Sequence, residues 1–300
     1  MFLDSPTRTV VPKARRARPA PVPGDACNTR ASGPPVKGRV LIVAGSDSGG
    51  GAGIQADIKT VTALGGYAAT AITALTAQDT HTVHGIHEVP PAFVGQQMEV
   101  VLRDIGADCI KTGMLHSPAI LWTIIEVLER LAPDVPLVVD PVMAAKGGAA
   151  LVQPETIDVI RSKLLPRATV VTPNIPEAAL LIGRPILGAK DAQDAGRELL
   201  AFGPKAVLMK GGHLDGPKVV DLLVTEKRAI RLESPRIAST STHGTGCTLA
   251  SGIATGLAQG LALEVAVRRA REYLMEAIRT APGFGTGHGP LNHGHTFVRK

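Results

Sequence analysis

Short runs of β-branched and other apolar residues alternate with longer amphipathic segments from Arg39 to the end of the chain. Short apolar runs bounded by glycine or proline are typical of buried strands, whereas apolar positions recurring at helical spacing indicate helices. Their alternation predicts βαβ units, in which helices cover both faces of a mainly parallel central sheet. The predicted fold class is therefore α/β.

The order of these elements shows where chemistry should be sought. Predicted strands span 40–44, 68–74, 109–112, 137–139, 169–172 and 206–210. Predicted helices begin after Gly53 and then span 91–105, 118–131, 154–163, 175–182, 190–202, 245–259 and 262–280. In open α/β sheets, ligands bind outside the carboxyl ends of the strands. Residues that directly follow those strands are therefore the first candidates for a functional site.

The first 37 residues differ in composition from the rest of the chain. They contain seven prolines and the run KARRAR at 13–18, with little apolar periodicity. Such a segment cannot bury enough apolar surface to offset its ordering entropy, so we expect a disordered tail over 1–37 and a single domain over 38–300. An Arg-rich leader could be a transit peptide, but its prolines and scarce serine favour a dispensable tail or an upstream-assigned start.

Charge and cysteine content argue against several classes of protein. The tail carries five arginines and two lysines against two aspartates, which gives +5 of the chain's +6. The nearly neutral body and an aromatic content of 3% argue against nucleic-acid binding. Cys27, Cys109 and Cys247 form no C-x-x-C pair and no disulfide framework, so we expect a reducing, cytoplasmic location. The apolar stretch 249–267 is interrupted by glycine and polar residues, so no membrane span is predicted.

A glycine-dense loop connects the first predicted strand to the first helix. Five glycines fall within the nine residues 45–53. No Gly-Lys-Ser/Thr follows, and the spacing is not that of a dinucleotide-binding G-x-G-x-x-G loop. A simple strand-to-helix turn needs fewer glycines, so we expect the backbone here to approach a ligand. Asp57, at the start of the helix, would either cap it or hydrogen-bond a substrate.

The stretch His243-Gly244-Thr245-Gly246-Cys247-Thr248 directly precedes another apolar helix. A helix N-terminus with free backbone N–H groups and two glycines suits a phosphoryl group that is being transferred. The stretch resembles the anion-hole motif of the ribokinase-like kinases, whose usual form ends in a catalytic aspartate. Cys247 in that place resembles the hydroxymethylpyrimidine kinase branch. Core packing is the common role of a cysteine, but the helix dipole here should stabilise a thiolate.

The resemblance continues along most of the chain, from about residue 39 to residue 297. The matching segments occur in the family's order: TALTAQDT at 73–80, KTGML at 111–115, DPVM at 140–143, TPNIPEA at 172–178, MKGGH at 209–213 and GTGHGP at 285–290. It implies that Gln78 and Asp57 hydrogen-bond the polar edge of an aminopyrimidine. The faces of the ring would lie against Ala52, Met114 and Val142.

The resemblance also implies how phosphate would be held. Asn174 and Glu177 form the Asn-x-x-Glu arrangement that in this superfamily holds Mg²⁺ or its water shell, and Asp140 could also face the metal. Lys210 would meet the phosphates of ATP, since Gly211 and Gly212 follow it at a strand end. Lys146 is a weaker candidate for the same role.

The resemblance therefore implies an ATP- and Mg²⁺-dependent kinase of the hydroxymethyl group of 4-amino-5-hydroxymethyl-2-methylpyrimidine and of its monophosphate, in thiamine biosynthesis. Cys247 would accept or share the hydroxyl proton at an anion hole of Gly244, Thr245 and Gly246. The family resemblance further implies a homodimer. A pyridoxal or pyridoxine salvage kinase shares the fold and the anion hole, whereas a non-catalytic pyrimidine-binding module would not need the phosphate-binding residues.

Overall fold

The computed structural model describes residues 36–144, 151–213 and 216–297. The chain divides into two units, Met1–Pro34 and Pro35–Lys300. The described residues all lie in the second unit. The predicted disordered tail, apart from residues 36 and 37, and the candidate Lys146 therefore lie outside the described residues.

A single sheet of nine strands runs through the described part of the chain. The strands are β1 (Arg39–Asp47), β2 (Tyr67–Gln78), β3 (Val83–Glu88), β4 (Cys109–Thr112), β5 (Leu137–Val139), β6 (Val170–Val171), β7 (Ala206–Met209), β8 (Lys218–Thr225) and β9 (Ala229–Pro235). Their order is β3-β2-β1-β4-β5-β6-β7-β8-β9. The six central strands pair in parallel, while β3, β8 and β9 join by antiparallel pairing. The predicted mainly parallel α/β sheet is confirmed.

Eight α-helices alternate with these strands in the described residues. They are α1 (Gly53–Ala63), α2 (Pro91–Asp104), α3 (Pro118–Leu131), α4 (Pro154–Val159), α5 (Ile175–Ile182), α6 (Ala189–Leu200), α7 (Thr245–Ala258) and α8 (Leu263–Arg279). The prediction of one continuous α-helix over 154–163 is wrong in its second half. There the backbone widens into a π turn and then tightens into a 3₁₀ turn around Pro166, which cannot donate a helical hydrogen bond.

Apolar clusters pack helices onto both faces of the sheet, as predicted. One face packs against α2, α3, α5 and α6, and the other against α1, α7 and α8. In α3, for example, Leu121, Ile124 and Leu128 recur at helical spacing and are buried, and each burial stabilises the fold by about 2 kcal/mol. No helix in the described ranges is long and apolar enough to span a membrane.

Helices α7 and α8 approach each other closely because the residues between them are small. A Cβ on Gly252 would lie 2.8 Å from the Cβ of Ala270, and one on Gly256 would lie 2.6 Å from the Cβ of Ala266. Both distances are too short for a real side chain. The two glycines therefore fix how α7, and with it the N-terminus of α7, sits on the sheet.

Candidate active site

Two glycine loops meet at the carboxyl ends of the central strands. One follows β1 and leads into α1, and the other precedes α7. Gly244, the N-cap of α7, has φ +80°, and a Cβ there would lie 1.9 Å from the carbonyl oxygen of Gly51. Only glycine fits this conformation and this contact. The loops therefore bring the glycine-rich segment and the anion-hole segment together, although they are far apart in sequence.

A cavity of about 730 Å³ opens beside these loops. It collects most of the residues that the sequence singled out: Ala52, Gln78, Met114, Asp140, Val142, Asn174, Glu177, Lys210, Gly244, Thr245, Gly246 and Cys247. Their placement at the carboxyl edge of the sheet agrees with the rule for open α/β folds. Of the predicted residues within the described ranges, Asp57 alone is not in the cavity wall.

Asp47, at the end of β1, organises the glycine-rich loop. Its Oδ1 accepts a hydrogen bond from the Gly49 N–H at 2.8 Å, and its Oδ2 accepts from the N–H groups of Gly51 and Ala52 at 3.0 and 2.8 Å. The ring Nε2 of His243 lies 2.8 Å from the same Oδ2. Burial opposes ionisation of this carboxyl, but the hydrogen bonds from His243 and the backbone outweigh it and lower its pKa.

The sequence analysis assigned no role to Asp47 or His243. An aspartate that accepts from the N–H two residues on forms an Asx turn, and Asp47 before Gly49 is such a signal. The contact between Asp47 and His243 spans 196 residues, so no local pattern could reveal it.

The pyrimidine candidates Ala52, Gln78, Met114 and Val142 all line the cavity. The Gln78 amide lies 3.3 Å from His243 Nε2, and its Oε1 accepts from Thr76 Oγ1 at 3.3 Å. Because His243 Nε2 faces the Asp47 carboxylate, that nitrogen carries the hydrogen, and the Gln78 NH₂ group remains able to donate to a ligand. Met114 packs where Gly45 has no side chain, since a Cβ there would lie 2.6 Å from the Met114 methyl.

Asp57 lies behind the cavity, contrary to the expectation that it contacts a substrate. It is fully buried, and both its oxygens lie 2.9 Å from Lys111 Nζ. Ser251 Oγ also donates to Asp57 Oδ1 at 2.7 Å. A sequence pattern cannot distinguish a helix carboxylate that faces a ligand from one that faces a buried lysine in β4. Burial opposes the charge on Lys111, but the Asp57 carboxylate outweighs it and raises the lysine pKa.

Cys247 lies in the first turn of α7 and lines the cavity, as predicted. Burial opposes the thiolate that the helix dipole was expected to stabilise. Burial raises the pKa of the thiol to about 12 against the opposing charge of the Lys111 ammonium, and the carboxylates of Asp57 and Asp140 add to the rise. At neutral pH, Cys247 is therefore a thiol.

Lys210 and two carboxylates form a compact charged cluster at the N-terminus of α7. Lys210 Nζ donates to Asp140 Oδ1 at 2.9 Å and lies 3.7 Å from Glu177 Oε2. Burial opposes ionisation of Asp140, but Lys210 and Lys111 outweigh it and lower its pKa. Burial and the neighbouring Asp140 raise the pKa of Glu177 to about 7. A Cβ on Gly246 would lie 3.2 Å from Lys210 Nζ, so the ammonium touches the anion-hole backbone.

Asn174 is the N-cap of α5 and bonds Glu177, the residue with which the sequence motif grouped it. Its Oδ1 accepts from the Glu177 N–H at 2.8 Å, while Glu177 Oε2 accepts from the Asn174 N–H at 2.8 Å, which is a capping box. This box fixes Glu177 toward the cavity. Asp140 Oδ2 is buried and has no hydrogen-bond partner among the described residues. One orphaned carboxylate oxygen beside a second carboxylate fits a hard divalent cation that takes its remaining ligands from phosphate and water.

A second charged pair borders the cavity near Lys210. Asp221 in β8 accepts from the Gly211 N–H at 2.8 Å and from Arg271 Nε in α8 at 2.8 Å. A Cβ on Gly211 would lie 1.8 Å from the carbonyl oxygen of Val220, so the chain after Lys210 is held closely against β8. The sequence analysis missed this pair because it did not predict β8.

Comparison with known proteins agrees with this arrangement. The phosphomethylpyrimidine kinase family matches residues 47–292. A thiamine biosynthesis bifunctional protein of Geobacter sulfurreducens is 52% identical over 266 residues, which are 89% of this chain but only 54% of that protein. A hydroxymethylpyrimidine/phosphomethylpyrimidine kinase of Streptomyces coelicolor is 48% identical over 255 residues, 85% of this chain and 94% of that one.

Solved structures share the architecture. The pyridoxal kinase from Staphylococcus aureus in complex with AMP-PCP and pyridoxal superposes with a TM-score of 0.79 at 34% identity, and the match covers 86% of this chain and 94% of that one. The ribokinase-like fold expected from the motifs is confirmed, and so is the expectation of a phosphotransferase. The chain belongs to the phosphomethylpyrimidine kinase family.

Proposed function

We propose that this chain transfers the γ-phosphoryl group of ATP to the hydroxymethyl oxygen of 4-amino-5-hydroxymethyl-2-methylpyrimidine, and then phosphorylates the monophosphate, in thiamine biosynthesis. One observation carries the proposal. A single cavity joins a pocket suited to a flat polar ring to a helix N-terminus flanked by Lys210 and two carboxylates. The names of the relatives support the same reaction. The chain would act in the cytoplasm, as its cysteine content predicts, and as a homodimer, as the family resemblance implies.

The ring pocket supplies both contacts that an aminopyrimidine needs. The Gln78 amide can donate to a ring nitrogen and accept from the exocyclic amine, because an amide presents both groups side by side. The apolar side chains of Ala52, Met114 and Val142 line the same cavity and would lie against the ring faces. The substrate would then present its hydroxymethyl group toward α7.

Phosphoryl transfer would occur at the N-terminus of α7. The substrate oxygen forms a bond to the γ-phosphorus while the bond to the bridging oxygen of ADP breaks, and the hydroxyl proton is released. Backbone N–H groups of Gly244, Thr245 and Gly246 and the ammonium of Lys210 face the charge that spreads over the transferred group. Asp140 and Glu177 would hold Mg²⁺, which supplies charge neutralisation to the phosphates when bound.

Cys247 would orient the hydroxyl group rather than deprotonate it beforehand. Its thiol is protonated at neutral pH because burial and nearby carboxylates raise its pKa to about 12. Phosphoryl transfer passes through a loose transition state, so the hydroxyl proton can leave late. The thiol sulfur then only accepts a hydrogen bond that orients the hydroxyl group, and the hydroxyl proton leaves late, to an oxygen of the transferred phosphoryl group or to water.

A pyridoxal kinase is the alternative that a specific observation favours, since the solved relative binds pyridoxal on the same fold. ADP release from the purified full chain with Mg-ATP, offered the pyrimidine, its monophosphate and pyridoxal in parallel, separates the two. Turnover of both pyrimidines at higher kcat/KM than pyridoxal is the expected result. Turnover of pyridoxal alone would overturn the proposal in favour of a salvage kinase.

Two variants test the assigned machinery in the same assay. Lys210→Ala should lower kcat by roughly 10²-fold or more, since one charge-stabilising donor is lost at the transferred group. Lys218→Ala is the matched control, because Lys218 is an exposed lysine on β8 that pairs with Glu233.

Cys247→Ala should lower kcat by about 10²-fold. Near-full turnover of Cys247→Ala would refute the role of the thiol.

A further inference from the structure

The segment 285–290, GTGHGP, has no part in the site described so far. It follows α8, and none of its residues, all of which the structure describes, belongs to the cavity wall. It lies instead against the loop 79–82, which follows Gln78, and against the loop 240–244, which leads into the anion hole. We call this segment the strap.

The strap bonds the chain just after Gln78. The Thr80 carbonyl oxygen accepts from the His288 N–H at 2.7 Å, and Thr80 Oγ1 accepts from the Gly287 N–H at 3.1 Å. Thr80 stands two residues after Gln78. The two bonds therefore restrain the chain that presents the Gln78 amide to the cavity.

Glycine lets the strap pack closely on Thr80. A Cβ on Gly285 would lie 2.4 Å from Thr80 Cγ2, and one on Gly287 would lie 2.3 Å from the Thr80 carbonyl oxygen. Both distances are too short for a real side chain, so a larger residue must displace either the strap or Thr80. Beside this contact, His81 Nε2 lies 2.8 Å from the Thr286 hydroxyl oxygen.

The other end of the strap holds the loop before α7. The Gly289 carbonyl oxygen accepts from the His243 N–H at 3.1 Å, and Pro290 forms a parallel β-bridge with His243. A Cβ on Gly289 would lie 2.9 Å from Ser241 Oγ, so the packing is close here too. Because Gly244, the N-cap of α7, directly follows His243, these contacts restrain the backbone at the entrance to the anion hole.

One short segment thus ties together the two places that the phosphoryl acceptor must bridge. The ring edge of the substrate would meet Gln78, whereas its hydroxymethyl oxygen would lie at the N-terminus of α7. Gln78 and His243 also meet directly, through a side-chain contact of 3.3 Å. The strap adds hydrogen bonds to main-chain atoms on both sides. Such restraint matters because a misplacement of about 1 Å between reacting groups can cost about 10²-fold in rate.

We infer that the strap sets the separation between Gln78 and the anion hole, and thereby positions the acceptor hydroxyl group for transfer. Its members are positioning residues, because they act through Thr80 and His243 and lie outside the cavity wall. The inference deepens the proposed function and rests on it for the identity of the acceptor. Lys210 bonds carboxylates and no strap residue in the described contacts, so binding of Mg-ATP should not depend on the strap.

The test compares Gly285→Ala with Gly283→Ala in the purified full chain. Both glycines are exposed and left-handed, with φ +81° and +70°, so alanine strains the backbone similarly at either position. A Cβ on Gly283 meets nothing within 4 Å, whereas one on Gly285 meets Thr80. Gly285→Ala should lower kcat/KM for the pyrimidine at least about tenfold, with most of the loss in KM, and change the KM for ATP less than about twofold. Gly283→Ala should match the parent.

The split between the two substrates separates positioning from loss of fold. A variant that only unfolded more readily would have a smaller active fraction, which lowers kcat and leaves both KM values unchanged. That result for Gly285→Ala would overturn the inference. An equal rise in both KM values, or kinetics equal to those of Gly283→Ala, would overturn it as well.

Thr80→Val and Thr80→Ser give a second arm that leaves the glycines intact. Valine keeps the shape of threonine but lacks the oxygen that accepts from the Gly287 N–H, whereas serine keeps that oxygen. Thr80→Val should raise the pyrimidine KM by roughly fivefold, and Thr80→Ser should stay within about twofold of the parent. Equal pyrimidine KM values for the valine and serine variants would contradict the inference.

Amide hydrogen exchange in the unliganded chain tests the strap without any substrate. Gly285→Ala should speed exchange in peptides covering 78–82 and 241–246, and Gly283→Ala should not. Faster exchange at one of the two loops alone, or at neither, would overturn the inference whatever the kinetics. If the parent turned over pyridoxal and not the pyrimidine, the proposed function would fail, while exchange would still decide whether the strap holds both loops together.

Discussion

A single backbone conformation at Gly244 holds the anion hole in place. With φ +80° and the Gly51 carbonyl oxygen 1.9 Å from where a Cβ would be, any side chain must displace one of the two loops. We predict that Gly244→Ala lowers kcat by roughly 10²-fold, because the backbone N–H groups of the anion hole would no longer point at the transferred group. Steady-state kinetics with the pyrimidine would measure this.

Gly260, at the other end of α7, is the control for strain alone. It also has a left-handed φ, +83°, but a Cβ there meets nothing within 4 Å. Gly260→Ala should lower the free energy of unfolding by about 1 kcal/mol and leave kcat unchanged. Equal kcat values for the two alanine variants would show that the loop contact at Gly244 does not matter for the reaction.

The site residues that sequence reasoning found share one property: each belongs to a motif with its own local chemistry. Lys210 ends a strand before two glycines, and Cys247 begins a helix after a glycine pair. The residues it missed or misplaced depend on distant partners. His243 contacts Asp47, and Asp57 pairs with Lys111, and in both cases the partners are far apart in the sequence. Burial, not pattern, decides that Asp57 faces inward.

At the scale of elements, Asp47 joins the glycine-rich loop to the loop before α7. Replacing it by asparagine removes the charge that four hydrogen-bond donors share and leaves at least one buried N–H without a partner. We predict that Asp47→Asn raises the KM for the pyrimidine at least about tenfold, in line with a loss of 1–3 kcal/mol. The KM for ATP should change less, because Lys210 and its carboxylates are untouched.

Asp108→Asn is the control for this change. The Asp108 carboxylate also accepts a backbone N–H, that of Arg39, and a charged side chain, but it lies before β4 at the opposite edge of the sheet. It should leave both KM values unchanged. If Asp47→Asn behaved like this control, with an unaltered pyrimidine KM, the loop junction would have no part in substrate binding.

The packing of α7 on α8 gives a prediction whose sign depends on two opposing effects. Gly→Ala in a helix interior stabilises by about 1 kcal/mol through propensity. A Cβ on Gly252 would lie 2.8 Å from that of Ala270, and such overpacking costs about 1–3 kcal/mol. We predict that Gly252→Ala lowers the free energy of unfolding in urea. Adding Ala270→Gly should relieve the contact and recover stability; no recovery would assign the loss to another cause.

The strands that the sequence analysis missed are those outside the parallel core. A search for βαβ units finds the buried strands, since both their faces are covered, but β3 is largely exposed and polar. β8 carries the apolar run 222–224 and β9 alternates apolar and polar residues over 230–233, on either side of the turn at 226–228, which together are a hairpin signal. The core sheet was therefore predictable from apolar runs, and this hairpin from a run and an alternating segment around a short turn, whereas β3 carries neither signal.

At the scale of the whole molecule, the C-terminal 3₁₀ turn His293–Thr296 fastens α1 to α8. The His293 ring Nδ1 lies 3.0 Å from the Tyr273 hydroxyl of α8 and 3.4 Å from Thr60 Oγ1 of α1. Burial lowers the pKa of His293 to about 4, with Lys59 and His295 adding to the effect. The folded state therefore holds this ring neutral under conditions where an unfolded chain would protonate it.

This depressed pKa predicts acid sensitivity with a defined window. Above about pH 6.5 the His293 ring is neutral in both the folded and the unfolded state, so His293 adds no pH dependence to the free energy of unfolding. As the pH falls from about 6.5 toward 4, the ring is protonated in the unfolded state but stays neutral in the folded state, and the free energy of unfolding drops by up to about 1.4 kcal/mol per pH unit.

His293→Gln removes the titrating ring, so its free energy of unfolding should fall less steeply with pH than that of the parent in melting curves taken at pH 7, 6 and 5. The difference in free energy of unfolding between parent and variant cancels the contribution of the carboxylates. These include Glu177, whose raised pKa makes the folded state more stable as the pH falls. The exposed His87→Gln should track the parent at every pH. If His293→Gln tracked it too, the turn would not couple protonation to the joining of α1 and α8.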